Sequence, residues 1–353
     1  MKAAPRAAIL GLAGPRLTDA ERRFFAAADP LGFILFRRNC ESPVQLKALV
    51  SELRAAVGRE DAPVLIDQEG GRVARLGPPH WRHPPPAAAL AALAEKNLAA
   101  AGAAARLNAR LMAAELLDAG ITVDCAPVLD IPVPGAHDVI GDRAHGKSPE
   151  QVATLGRAVC EGLLEGGVLP VIKHIPGHGR AAADTHHDLP VVTVSEGELK
   201  RADFKPFALL NDMPWAMTGH VVYAAIDPEA PATTSRKVIE RVIRGHIGFQ
   251  GLLVGDDLSM NALKGSLGER AAAALAAGCD IALHCNGKID EMRAVADAAP
   301  RLGDAALRRV ERGEMLRHTP KALDRPGAVE HLAALLAGKA APESLTGRPL
   351  GYA

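Results

Sequence analysis

Eight short apolar runs, their strict alternation with helical segments, and charged residues gathered at the carboxyl ends of the runs predict an α/β fold of the single-domain (β/α)₈ barrel type. The runs, rich in Val, Ile and Leu, are residues 7–14, 32–37, 63–68, 123–129, 169–173, 215–219, 251–254 and 280–284. Apolar runs of this kind, uninterrupted by polar alternation, suit parallel strands covered on both faces.

Between the runs, apolar residues recur at helical spacing over 18–28, 43–57, 87–118, 149–165, 196–210, 235–246, 260–277 and 289–306. Ser42 before Pro43, Ser148 before Pro149, and Ser195 with Glu198 three residues on are helix-start signals. The Ala-rich stretch 87–118 carries Leu, Arg, Asn and Glu at helical spacing, which predicts one long helix broken near Gly102. One catalytic barrel domain then covers residues 1–353, with a core of about 7–310. A C-terminal extension, 325–353, is packed outside or frayed and holds one short helix at 328–336. An open doubly wound sheet is the competing arrangement.

Composition narrows the partners. Lys plus Arg and Asp plus Glu each number 41, without a long single-sign run, which argues against a nucleic-acid footprint or a membrane-surface patch. Seven Phe, two Tyr and two Trp leave little for base stacking. The expected partner is a small polar molecule, bound by a monomer. Five cysteines (Cys40, Cys125, Cys160, Cys279, Cys285) at scattered spacings, without a CxxC pair, fit reduced thiols in a cytoplasmic protein. The apolar stretch 7–14 is short for a signal peptide and far too short to span a bilayer.

A barrel carries its active site at the carboxyl ends of its strands. There the third run ends in Asp67, Gln68 and Glu69, the fourth in Asp130, the fifth in Lys173 and His174. The sixth ends in His220, the seventh in Asp256 and Asp257, the eighth in His284. Asp130 and His284 read equally well as local caps or ion pairs. After the fifth run comes KHIPGHGRAAADTHHDLP (173–190), with four of the chain's 13 histidines. Its glycines and prolines make it a loop, and loops dense in titratable groups are where chemistry tends to sit.

The segments IDQEGGRVARL (66–76), IGDRAHG (140–146), KHIPGHGRAAADTHHDLP (173–190) and GDDLSM (255–260), in that order, resemble family 3 glycoside hydrolases, and among them the single-domain bacterial β-N-acetylglucosaminidases. GFILFRRNCESPVQLKALV (32–50) and ATTSRKVIERVIRGHIGFQGLL (232–253) extend the likeness to roughly residues 9–290. The resemblance implies a barrel enzyme that removes terminal β-linked N-acetylglucosamine with retention, from N-acetylglucosaminyl-1,6-anhydro-N-acetylmuramyl peptides of recycled peptidoglycan. It implies Asp256 as nucleophile, His186 as acid/base with Asp184 holding its ring, and Asp67, Arg75, Arg143, Lys173 and His174 as substrate-binding residues. His187 competes with His186 for the acid/base role, and Asp257 is a structural neighbour by strand period. The family usually has Ser or Thr where Gly255 stands. No cofactor and no metal is implied. Two rival readings stay open: a metal-dependent hydrolase using His174, His178, His186, His187, Asp184 and Asp256, and a sugar-binding barrel without catalysis.

Overall fold

Each apolar run becomes a strand in the computed structural model, which describes residues 3–135, 138–181, 189–317 and 319–339. The strands are β1 (Arg6–Leu10), β2 (Pro30–Leu35), β3 (Val64–Ile66), β4 (Val123–Asp124), β5 (Leu169–Ile175), β6 (Trp215–Thr218), β7 (Leu252–Val254) and β8 (Ala282–His284). They pair in parallel in chain order, with β8 beside β1. The ring closes where Val254 of β7 bridges Ile281, just ahead of β8, and the Gly255 N–H donates to the Ile281 carbonyl at 2.9 Å. This is a nearly closed (β/α)₈ barrel, and the open doubly wound arrangement is set aside.

Successive side chains on a strand point to opposite faces, so the barrel wall separates two cores. Ile9, Ile34, Leu65, Val171, Met217, Val254 and Leu283 fill the interior with Trp215. Their neighbours Leu10, Phe33, Ile66, Ile172, Ala216, Leu253 and Ala282 pack beneath the helices. With both faces covered, the strands carry no polar alternation, which is why they were readable as plain apolar runs.

The helices depart from the sequence reading at their breaks. The stretch 87–118 forms Ala87–Ala94 and Leu98–Asp118, and the break falls at residues 95–97 instead of near Gly102. Asn97 caps the second helix by accepting the Ala100 N–H at 3.0 Å, whereas Gly102 faces open space inside an intact helix. The segment 196–210 divides into Glu196–Arg201 and Lys205–Leu209, with Pro206 unable to donate to the preceding turn. The segment 235–246 is a widened π-type helix, Val238–His246. The segment 260–277 shortens to Leu267–Ala277, where Ser266 and Glu269 form a capping box. Pro300 separates Ile289–Ala298 from a further helix, Asp304–Leu316. In the C-terminal extension, Arg325–Leu336 lies against Leu98–Asp118 through Ala328, Leu332 and Leu335, with Arg325 paired to Asp118. Residues 340–353 of that extension lie outside the described residues.

Close strand packing yields a stability prediction. A Cβ at Gly32 of β2 would drive into the Pro63 carbonyl oxygen and come within 2.9 Å of the Pro63 ring, so the start of β3 would have to shift. Gly32→Ala is expected to cost about 1–3 kcal/mol, read as a lower urea midpoint with an unchanged slope.

Candidate active site

Strand parity decides which polar residues meet. Leu65, Val171, Val254 and Leu283 point into the barrel. Two residues further on, Asp67, Lys173, Asp256 and Cys285 point the same way, above the apolar interior and at its carboxyl mouth. All four line one cavity of about 510 Å³, together with Glu69, Arg75, Arg143, His174 and His178. That volume lies within the range of about 300–1,000 Å³ common to small-molecule sites.

A chain of alternating charges crosses the floor of the cavity. The Lys173 ammonium, almost wholly buried, donates to Asp67 Oδ1 at 2.8 Å and lies 2.6 Å from Glu69 Oε1. Asp67 Oδ2 accepts from Arg75 at 3.0 Å, and Glu69 receives a two-pronged Arg143 guanidinium, both bonds 2.8 Å. Paired donors at fixed geometry are the strong form of this interaction. Burial alone would raise both carboxyls, but Lys173 and the arginines outweigh it. They hold Asp67 well below the usual carboxylate range and bring Glu69 down to about 2. Burial would likewise lower Lys173, yet Asp67 and Glu69 push it up. Arg75 is set in place by its backbone: Gln68 Oε1 accepts the N–H groups of Arg75 and Leu76 at 2.9 and 3.0 Å, and Gln68 Nε2 donates to the Leu76 carbonyl at 3.0 Å.

The pairing of β5 with β6 slips between Lys173 and Ile175, and His174 joins Lys173 in lining the cavity. Its Nδ1 lies 2.6 Å from Asp130 Oδ2, so that nitrogen carries a hydrogen and Nε2 is left for the cavity. Asp130 also accepts the backbone N–H groups of His174 and His178, at 3.2 and 2.7 Å. Burial, reinforced by the neighbouring His174, pushes His178 down to about 4 and keeps it neutral. The start of the loop 173–190 is tied down: the Tyr223 hydroxyl donates to the Gly177 carbonyl, Gly179 is pressed against the Ile131 backbone with no room for a Cβ, and Arg180 pairs with Asp203 at 2.7 Å and Glu198 at 2.9 Å.

Asp256 follows β7. Burial would raise its carboxyl, but the neighbouring His220 and His174, the Asp257 N–H and Lys173 outweigh it and hold it below the usual range. Asp257 is engaged elsewhere, accepting from the Ser259 N–H (3.0 Å) and hydroxyl (2.6 Å) and from the Cys285 N–H (3.1 Å).

Of the residues singled out in the sequence, Asp67, Arg75, Arg143, Lys173, His174 and Asp256 share the one cavity. Asp184, His186 and His187 lie outside the described residues. Asp130 stands behind the cavity wall as the support of His174. His284 is on the outer face of β8, buried against Glu291 at 3.5 Å. Glu69, at a strand end, was visible there without a role; Asp130, read as a local cap or ion pair, takes both parts by accepting the His174 and His178 N–H groups and pairing with the His174 ring; Thr233, which contacts His220, was not singled out. Among the described residues no three His, Cys, Asp or Glu side chains converge as a metal site requires.

Comparison with known proteins now adds to this geometry. The glycosyl hydrolase family 3 N terminal domain matches residues 11–312. A beta-hexosaminidase of Alkalilimnicola ehrlichii is 43% identical over 282 residues, 79% of this chain and 80% of that protein. One of Thiobacillus denitrificans is 42% identical over 286 residues, 79% of this chain and 77% of that protein. The crystal structure of NagZ from Neisseria gonorrhoeae in complex with N-trifluoroacetyl-D-glucosamine superposes with a TM-score of 0.84 at 33% identity, covering 95% of this chain and 99% of that one.

The depressed carboxyls make the mouth acid-sensitive. Their stabilisation is complete above the unfolded values of about 3.9 and 4.3, and is lost as pH falls toward the folded value, about 2 for Glu69. Glu69→Gln, which takes the carboxylate from Arg143 and leaves Lys173 with Asp67 alone, is expected to cost about 3–5 kcal/mol at pH 7. Its urea midpoint should then fall less than that of the wild type between neutral and strongly acid pH; equal falls would contradict the linkage.

Proposed function

The chain belongs to glycosyl hydrolase family 3, a family of glycosidases, and on that premise we propose that it is a retaining exo-β-N-acetylglucosaminidase with Asp256 as its nucleophile. The observation that carries the reading is the placement of an ionised Asp256 in the same cavity as the polar chain from Arg75 to Arg143. Kinship to beta-hexosaminidases and to a NagZ bound to an N-acylated glucosamine supports N-acetylglucosamine as the sugar.

Retention needs two displacements at the anomeric carbon. In the first, an Asp256 oxygen bonds to that carbon, the glycosidic C–O bond breaks, and His186 gives its proton to the leaving oxygen. In the second, water gives a proton to His186 and attacks the same carbon, releasing Asp256. An imidazole with an ordinary value near 6.5 passes a proton both ways near neutrality. Asp184 holds the other ring nitrogen. These two loop residues are assigned by motif, since they lie outside the described residues. Asp67 accepts from sugar hydroxyls, Lys173, Arg75 and Arg143 donate, and His174 offers Nε2. Each is prepositioned by partners already in place, which spares reorganisation on binding.

The natural substrate in this reading is N-acetylglucosaminyl-1,6-anhydro-N-acetylmuramyl peptide from recycled peptidoglycan, cleaved in the cytoplasm by a monomer whose barrel is its one catalytic domain. Five unpaired cysteines support a reducing compartment.

Steady-state kinetics on an aryl β-N-acetylglucosaminide test the roles. Asp256→Ala should abolish turnover while N-acetylglucosamine still binds. His186→Ala should lose about 10²–10⁴ in rate, and His187→Ala should stay near wild type. Full activity in Asp256→Ala would overturn the proposal, and the reverse histidine pattern would exchange their roles.

A further inference from the structure

A ring of hydrogen bonds ties the backbone on both sides of Asp256 and Asp257. Thr218 at the end of β6, His220 two residues on, and Thr233 in the turn Ala232–Thr234 are all fully buried. The Asp256 N–H donates to Thr218 Oγ1 at 3.3 Å; Thr218 Oγ1 lies 2.8 Å from Thr233 Oγ1; Thr233 Oγ1 lies 2.8 Å from His220 Nδ1; and His220 Nε2 lies 3.0 Å from the Asp257 carbonyl oxygen.

Chemistry orders the hydrogens. A carbonyl only accepts, so Nε2 of His220 carries a hydrogen, and in the tautomer with no hydrogen on Nδ1 that nitrogen accepts. The Thr233 hydroxyl then donates to Nδ1, and the Thr218 hydroxyl donates to Thr233 while accepting from Asp256. Thr233 Oγ1 also lies 3.3 Å from the Gly219 carbonyl, the longer of its two acceptors. One direction therefore satisfies every group between the Asp256 N–H and the Asp257 C=O. The peptide enclosed between them donates its own N–H, from Asp257, to Asp256 Oδ1 at 2.8 Å. The Thr218, Thr233 and His220 side chains are closed off from solvent, so a partner lost among them is not replaced by water.

We propose that His220, Thr233 and Thr218 are positioning residues for the nucleophile: the ring fixes the Asp256–Asp257 backbone so that Oδ1 stays on the Asp257 N–H and Oδ2 is the oxygen presented to the anomeric carbon. The proposal rests on Asp256 being the nucleophile. It also accounts for glycine at position 255. A Cβ there would meet the Thr233 methyl at 3.2 Å, tighter than ordinary packing, so the methyl fills the space that a serine or threonine side chain would need.

The test isolates attack from proton donation. In 5-fluoro-N-acetylglucosaminyl fluoride the C1–F bond breaks as the ester to Asp256 forms; fluoride leaves unaided, and the intermediate hydrolyses slowly enough for intact-mass measurement. Thr218→Val, Thr233→Val and His220→Gln should slow labelling by about 10- to 100-fold with N-acetylglucosamine affinity unchanged, and Thr233→Ser should recover most of the rate. Label on Asp256 at equal rates in wild type and these variants would overturn the positioning role alone. Wild-type label on a peptide lacking Asp256 would overturn the nucleophile assignment, and the positioning role with it.

Discussion

The buried Lys173 ammonium is the interaction on which the mouth of the barrel depends. A lone charge at that depth would be costly, and two carboxylates meet it there, each closed off by an arginine on its far side. Arg75, Asp67, Lys173, Glu69 and Arg143 thus alternate in sign, three cations against two anions. With Arg72, Asp138, Asp256 and Asp257 counted, the cavity lining holds four cations and five carboxylates, so its charges nearly cancel. A mouth that is dense in donors and acceptors yet close to balanced in charge suits an uncharged, hydroxyl-rich ring, because it offers directional bonds with little net pull on ions.

The barrel makes this arrangement geometrically cheap. Residues at the ends of β3, β5 and β7 share one mouth because parallel strands all present their carboxyl ends on the same side of the barrel, and period two carries the interior face from Leu65, Val171 and Val254 to Asp67, Lys173 and Asp256. Around that layer stands a second set of groups that set its geometry, Asp130 and Gln68 behind the wall and Asp257 at its edge. Asp130 orients His174, Gln68 orients the Arg75 backbone, and Asp257 spends its carboxylate on Ser259 and Cys285. Rigid support of this kind is what keeps a site within the narrow tolerance that chemistry demands.

Much of this was legible in the sequence, for a physical reason. Strands buried on both faces appear as unbroken Val, Ile and Leu runs, so all eight could be counted, and the polar residues closing the third, fifth and seventh runs fell at the mouth. Helix interruptions were less visible. The break at 95–97 depends on Asn97 turning back to cap Ala100, a choice that Gly102, the weaker helix former, did not make. Glu69 was seen at its strand end but not as the partner of Arg143, 74 residues away, because only the folded barrel sets the two side by side. The Thr218, Thr233 and His220 ring was hidden for the same reason: hydroxyls in an apolar stretch announce nothing until their partners are in place.

The charge chain can be tested where it is centred. Calorimetric titration of Lys173→Met with N-acetylglucosamine removes the ammonium while keeping an apolar stem of similar length. Because a hydrogen bond to a charged group contributes about 1.5–3 kcal/mol, affinity is expected to fall by roughly tenfold to a hundredfold. Wild-type affinity in a folded Lys173→Met protein would contradict a mouth that holds its sugar through Lys173 and its carboxylates.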